Sequence, residues 1–460
     1  MIERLQSGHA RLDAILDGGL PSDAINLVIG APGAGKTILC QQYVYTNATP
    51  DRPAVYFSTV SEPFDKILRY GQELDFFRPE MVGSSVFYDD LGAALHKEGL
   101  PAALNRIDQV LRERRPGILV IDSFKALNVF SSDEGEFRRF LHDLAGRLSA
   151  IAVSSFWTGE YSRNEETLGP EFAVADAIIS LRARKTLSRE SRVLEVLKLR
   201  GSGFASGEHG YRLSRAGIDV FPRLADDLDA STYHLDAGRT TTGVEAIDEL
   251  LADGYWPGSS TLIAGPAGVG KTLMGMHYVF SGAGLGEPGI IATLQENHTQ
   301  LERIVSGFGW SLETPGVEMI SSSPVDVGID EWIYMVMDRV EATGARRLFI
   351  DSLSDLLVAA DDEVRFREWM YSLIQRCSRA QVSLMMTLEV PELFQLVRIS
   401  ENGMSHLSDN VIALQYQKVG AEIKRTVTVL KTRASSHNQF VREFHISAEG
   451  IVLDEPLAAS

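Results

Sequence analysis

Short β-branched runs recur along the chain, INLVIG at 25–30, AVYFST at 54–59, GILVID at 117–122 and IAVSSF at 151–156. Apolar on consecutive positions, they predict strands buried on both faces. Stretches with apolar residues at helical spacing separate them, as in EWIYMVMDRV at 331–340, whose aromatic and Met positions read as one buried helical stripe. Strands alternating with helices require crossover connections. The predicted class is therefore α/β, with mostly parallel sheets covered by helices on both faces.

The pattern is written twice. Gly8-HAR-Leu12-Asp13-AIL opens the first half and Gly243-VEA-Ile247-Asp248-ELL the second. The glycine-rich loops GAPGAGKT (30–37) and GPAGVGKT (265–272) follow, and later segments recur in the same order: YFSTVSEP with IATLQENH, GILVIDSF with RLFIDSLS, and LEVLKLRGS with VTVLKTRAS. Similarity at one long offset means duplicated domains rather than a solenoid. The polar stretch 223–242 between the halves has little apolar periodicity and reads as a linker. Two domains are expected, 1–227 and 228–460.

Each loop fits GxxxxGKS/T. Such a loop turns successive backbone N–H groups inward around phosphates, while the following helix aims its positive end at them. The candidate nucleotide-binding residues are Gly30, Gly33, Ala34, Gly35, Lys36, Thr37 and Ile38, and Gly265, Gly268, Val269, Gly270, Lys271, Thr272 and Leu273. Lys36 and Lys271 would reach the β- and γ-phosphates, and Thr37 and Thr272 the Mg²⁺ ion. The expected ligands are thus ATP and Mg²⁺. Asp122 and Asp351 close apolar runs downstream of each loop, where a second acidic residue holds magnesium through water. An aspartate there alternatively caps the next helix. Glu62 and Glu296 follow the next strand and are candidates to orient or deprotonate the attacking water. The alternative for both is a solvated residue in the first turn of a helix.

These residues resemble the KaiC family, through two GKT loops, two strands ending in IDS, and KLRG after a late strand. The resemblance covers nearly the whole chain and implies two RecA-like lobes, a homohexameric double ring with ATP between subunits, and ATP hydrolysis. It further implies that Lys198 and Arg200, then Lys431 and Arg433, reach the γ-phosphate of a neighbouring subunit in trans. An exposed strand edge kept soluble by charge would also carry such residues. The family's paired glutamates read here as Ser61-Glu62 and Gln295-Glu296, and its phosphorylated Ser-Thr pair as Ser405-His406. Ser405 is thus the one candidate phosphoacceptor, and Gln295, a neutral amide, weakens an autokinase reading. A KaiB-like partner is implied. KaiA-type binding is not expected, because the chain stops soon after HISAEGIVLDEP.

Composition narrows the alternatives. The formal net charge of −18 argues against a broad nucleic-acid surface, and so against a RadA-like DNA-repair motor. No apolar run reaches bilayer length, so a cytoplasmic protein without membrane contact is expected. Cys40 and Cys377, the two cysteines, have neither a CxxC pair nor zinc-ligand spacing, and read as buried small residues. The leading function is an ATP-driven signalling or timing switch, with a serine/threonine autokinase and a non-catalytic nucleotide sensor as alternatives.

Overall fold

The structure, a computed structural model, describes residues 3–59, 64–161, 169–186, 189–224, 238–323, 328–360, 363–390, 404–433 and 435–456. The chain divides into two compact units, Met1–Arg223 and Leu224–Ser460. The boundary expected near residue 228 lies outside the described residues.

In the first unit a small ladder pairs β1 (Arg4–Leu5) with β2 (Leu20–Pro21), on either side of α1 (Ala10–Ile15). The main strands are β3 (Ile25–Gly30), β4 (Ala54–Ser58), β5 (Val86–Asp90), β6 (Ile118–Asp122), β7 (Ser154–Gly159), β8 (Ala177–Thr186), β9 (Arg189–Leu199), β10 (Glu208–Ser214) and β11 (Gly217–Phe221). They lie in the order β11-β10-β9-β8-β3-β7-β6-β4-β5. The stretch from β8 to β5 is parallel, and β9, β10 and β11 extend it as an antiparallel meander. The helices are α2 (Lys36–Asn47), α3 (Phe64–Gly71), α4 (Gly92–Arg114), α5 (Glu134–Ile151) and α6 (Pro170–Val174).

Alternation along the strands splits the core. Ile118 and Val120 of β6 pack with Leu39, Cys40 and Tyr43 of α2, whereas Leu119 and Ile121 pack with Ile107 of α4 and Leu141 and Leu144 of α5. Both faces are covered, and strand residues at i and i+1 enter different layers. The expected IAVSSF strand begins later than its apolar run, because Ile151 still belongs to α5.

The second unit repeats this topology. It contains α7 (Glu245–Leu250), β12 (Ser260–Gly265), α8 (Lys271–Gly284), β13 (Gly289–Thr293), α9 (His298–Ser306), β14 (Val317–Ser321), α10 (Ile329–Thr343), β15 (Arg347–Asp351), α11 (Leu353–Ala359) and α12 (Glu363–Arg379). After these come β16 (Ser383–Glu389), α13 (Met404–Leu407), β17 (Asn410–Val419), β18 (Glu422–Lys431), β19 (Arg442–Ser447) and β20 (Gly450–Pro456). The order β14-β13-β15-β16-β12-β17-β18-β19-β20 matches the first sheet strand for strand, again with an antiparallel end from β17 onward.

Residues that open the two sequence repeats do the same work in both units. Leu12 and Ile247 are fully buried, and Asp13 and Asp248 each accept a hydrogen bond from the backbone six positions earlier, at Ser7 (2.8 Å) and Thr242 (2.7 Å). The EWIYMVMDRV stripe lies on α10, with Trp332, Ile333 and Val336 in the core. Cys40 and Cys377 are buried and free. No helix among the described residues is long and apolar enough to cross a membrane.

Candidate functional site

In each unit the P-loop joins a central parallel strand to a helix at the carboxyl edge of the sheet, where ligands of open α/β sheets bind. Gly33 and Gly35, and their counterparts Gly268 and Gly270, all have positive φ between 72° and 119°. A side chain there would be strained, and the resulting turns direct successive N–H groups to one side. Gly35 and Gly270 are the N-caps of α2 and α8, so the loop runs directly into the positive end of each helix. Ile38 and Leu273 sit in the first turns, and Ala34 and Val269 are buried beneath the loops.

Both P-loop lysines are buried and curl back over their own loop. Lys36 donates to the carbonyls of Gly30 (2.9 Å) and Ala31 (3.0 Å), and Lys271 to those of Gly265 and Pro266 (2.9 Å each). Burial lowers the pKa of Lys36, opposed by the negative charges of Glu160 and Asp122. Lys271 is lowered by burial too, opposed by Glu389 and Asp351.

The threonine after each lysine meets the aspartate that closes a strand. Thr37 donates to Asp122 Oδ2 at 2.7 Å, and Thr272 to Asp351 Oδ2 at 2.6 Å. A second threonine holds the other oxygen: Thr158 donates to Asp122 Oδ1 at 2.5 Å, and Thr387 to Asp351 Oδ1. In the first unit Tyr56 adds a hydrogen bond to Asp122 Oδ2 at 2.6 Å. Burial raises the pKa of Asp351, and the Thr272 and Thr387 hydrogen bonds oppose that rise. Among the described residues, the side-chain partners of these aspartates are hydroxyls on other strands and on the P-loop helix.

One carboxylate beside a P-loop hydroxyl suits Mg²⁺, which is held by few protein ligands together with phosphate oxygens and water. No cluster of three or more His, Cys, Asp or Glu able to cage a metal occurs among the described residues.

Glu296 lies three residues past Asp351's strand partner. Thr293, which pairs with Asp351 across β13 and β15, donates to Glu296 Oε2 at 2.8 Å. Burial raises the Glu296 pKa, the Thr293 hydrogen bond opposes this, and Asp351 and Asp355 raise it further. Glu62 lies outside the described residues. Within the described strands, Ser58 pairs with Asp122 as Thr293 pairs with Asp351. Two positions on stand Val60 and Gln295, and three positions on stand Ser61 and Glu296. Counted along the sequence from Ser58 and Thr293, Ser61-Glu62 and Gln295-Glu296 differ by one position.

The late basic pairs occupy matching places. Lys198 donates to the carbonyls of Phe172 (3.0 Å) and Ala173 (3.3 Å), and Arg200 to the Ala173 carbonyl and to Asp176 Oδ1, both at 3.2 Å. Lys431 donates to the Ser408 carbonyl (2.7 Å), and Arg433 to the His406 carbonyl (2.8 Å), with Asp409 at 3.5 Å. Within the single chain these four residues are thus tied to the segment that enters β8 or β17. Burial and the adjacent arginine lower the pKa of Lys198 and of Lys431. Ser405 lies in the backbone of α13.

Several participants were not singled out from sequence. Thr158 and Thr387 hold the aspartates, and Glu160 and Glu389 lie two residues beyond them, beside the P-loop lysines. Asp176 and Asp409 anchor the arginines and also accept a backbone N–H from the first residue of the P-loop strand, Ile25 (3.0 Å) or Ser260 (2.9 Å). Their signal was available as further repeats, WTGE against MTLE and ADAII against SDNVI.

The family model described as ATPase: KaiC matches residues 5–225 and again 240–458. Circadian clock protein KaiC3 of Synechocystis sp. is 29% identical, over 99% of this chain and 92% of that protein. Circadian clock oscillator protein KaiC of Picosynechococcus sp. is 28% identical, over 99% and 90%, and that of Synechococcus elongatus 27% identical, over 98% and 88%. Two family matches in tandem, each spanning a unit with its own P-loop and strand-end aspartate, place the chain in the KaiC ATPase family.

Proposed function

We propose that the chain hydrolyses ATP to ADP and phosphate in a self-assembled ring and acts as a nucleotide-dependent timing or signalling switch. The observation that carries this reading is the repeated convergence of P-loop lysine, P-loop threonine and strand-end aspartate. Lys36 and Lys271 bind the β- and γ-phosphates. Thr37 with Asp122, and Thr272 with Asp351, would hold Mg²⁺, which would supply positive charge beside the phosphate oxygens. Glu296 takes the proton of the attacking water in the second unit, and Glu62 is the carboxylate available to the first.

Lys198, Arg200, Lys431 and Arg433 act in trans on the γ-phosphate of a neighbouring subunit, which makes turnover depend on a homohexamer. Nucleotide state then biases ring geometry and the affinity for a partner, a KaiB-like protein in the cytoplasm.

Light scattering with Mg-ATP, a phosphate-release assay and intact-mass analysis test this together. Hexamer-sized particles that release phosphate support the ATPase ring, and a mass increase mapped to Ser405 would add an autokinase activity. A monomer without turnover sinks the proposal.

A further inference from the structure

Gln295 and Asp355 form a hydrogen-bonded pair in the second unit. Gln295 follows β13 by two residues, at the carboxyl edge of the sheet beside Asp351. Its side-chain nitrogen donates to both oxygens of Asp355, at 3.1 and 3.0 Å. Asp355 sits in the first turn of α11, and Ser352 donates to its Oδ2. The corresponding positions of the first unit, by the same strand register, are Val60 and Ala126. Neither side chain there could make the contact.

An amide has two unlike ends. Asp355 is an acceptor only, so it holds the NH₂ end of Gln295 and leaves the carbonyl oxygen turned away from it. Among the described residues, that oxygen accepts no hydrogen bond. Glu296, the next residue, is held by Thr293, so an acceptor and a base stand side by side just past β13, whose last residue pairs with Asp351.

We propose that Asp355 is a positioning residue for ATP hydrolysis in the second unit: it locks the Gln295 amide so that its carbonyl oxygen orients the attacking water. Gln295 cannot remove a proton, and it does not need to. The water oxygen bonds to the γ-phosphorus, and the bond from that phosphorus to the β,γ-bridging oxygen breaks, its electron pair leaving on ADP. The water proton passes to the Glu296 carboxylate. Orientation by a glutamine with proton removal elsewhere is an established division of labour in nucleotide hydrolysis. The inference rests on the reading that the second unit hydrolyses ATP.

The test uses the full-length chain carrying Lys36→Ala, so that phosphate release reports the second unit. Asp355→Asn offers Gln295 an amide donor, which permits the reversed orientation. It should lower kcat on the order of 10-fold to 100-fold while the KM for ATP stays within about twofold. Adding Gln295→Glu to Asp355→Asn supplies a carboxylate, identical at both oxygens, which needs no orienting, and this double variant should recover kcat. A purely structural Asp355 would leave the double variant as slow as the single one. Unchanged kcat in Asp355→Asn, or no recovery in the double variant, overturns the proposal even where Glu296→Gln abolishes turnover and the ATPase reading stands. Phosphate release lost in the Lys36→Ala chain but kept in a Lys271→Ala chain would overturn the parent reading and this proposal with it.

Discussion

Thr272, in the first turn of α8, donates a hydroxyl hydrogen bond to Asp351 at the end of β15, 79 residues later in the chain. The same bond joins Thr37 to Asp122. Each aspartate is oriented by a second threonine on the strand that separates it from the P-loop strand, so the carboxylate is fixed before any ligand arrives.

That second threonine gives the first prediction. Thr387→Val keeps the shape of the β-branched side chain but removes the hydroxyl that holds Asp351 Oδ1. In the Lys36→Ala chain, the Mg²⁺ concentration for half-maximal turnover should rise by about 10-fold or more, as for partners that orient metal ligands elsewhere. A Mg²⁺ titration of phosphate release checks it, and an unchanged midpoint would show that Asp351 needs no such support.

The pH dependence of the second unit follows from Glu296. As a base it works only when ionised, and burial places its pKa above the ordinary 4.5. Turnover of the Lys36→Ala chain should therefore fall as pH drops through that raised value, with Asp351 and Asp355 the charged neighbours that keep it high. A kcat profile that stays flat down to pH 4.5 would remove Glu296 from this role.

His277 couples stability to pH independently of catalysis. Burial lowers its pKa to about 4, and its Nε2 accepts the Ile451 N–H at 3.0 Å. The unfolded chain takes up this proton near pH 6.5 and the folded chain near 4, so the stabilising contribution is complete above pH 6.5 and declines as pH falls toward 4. Urea midpoints of the parent should drop over that window more than those of His277→Gln.

Gly30→Ala and Gly33→Ala separate packing from loop geometry. A Cβ at Gly30 would lie 2.1 Å from the Leu181 carbonyl oxygen, whereas one at Gly33 meets nothing within 4 Å. Gly30→Ala should destabilise the first unit measurably in thermal unfolding. Gly33→Ala should cost only about 1 kcal/mol of backbone strain at its positive φ, and show its effect in nucleotide binding. Equal melting losses would contradict the assignment.

Arg347 tests the buried charge. It is 1% exposed and donates to Glu287 Oε2 (2.6 Å), the Tyr278 carbonyl (2.7 Å) and the Thr241 carbonyl (3.0 Å). Arg347→Met strands those acceptors and should cost about 3–5 kcal/mol in urea unfolding. Glu287→Gln removes the counter-charge from a guanidinium that stays 1% exposed, and should also destabilise by about 3–5 kcal/mol.

Local motifs explain what the sequence determined by itself. A P-loop is a contiguous device whose glycines, lysine and threonine define it within eight residues, so Gly30 to Thr37 and Gly265 to Thr272 were legible at once. Asp122 and Asp351 were legible because an apolar run ending in an acid marks a strand end, and the duplication exposed each feature twice. The tertiary structure alone decided which strands are neighbours. β7 and β16 lie between the P-loop strand and the aspartate strand, although they follow both in sequence, and that order brings Thr158 to Asp122 and Thr387 to Asp351. It likewise brought Gln295 against Asp355 across 60 residues. Such contacts depend on long-range packing of the two helical layers against the sheet, which no local spacing encodes.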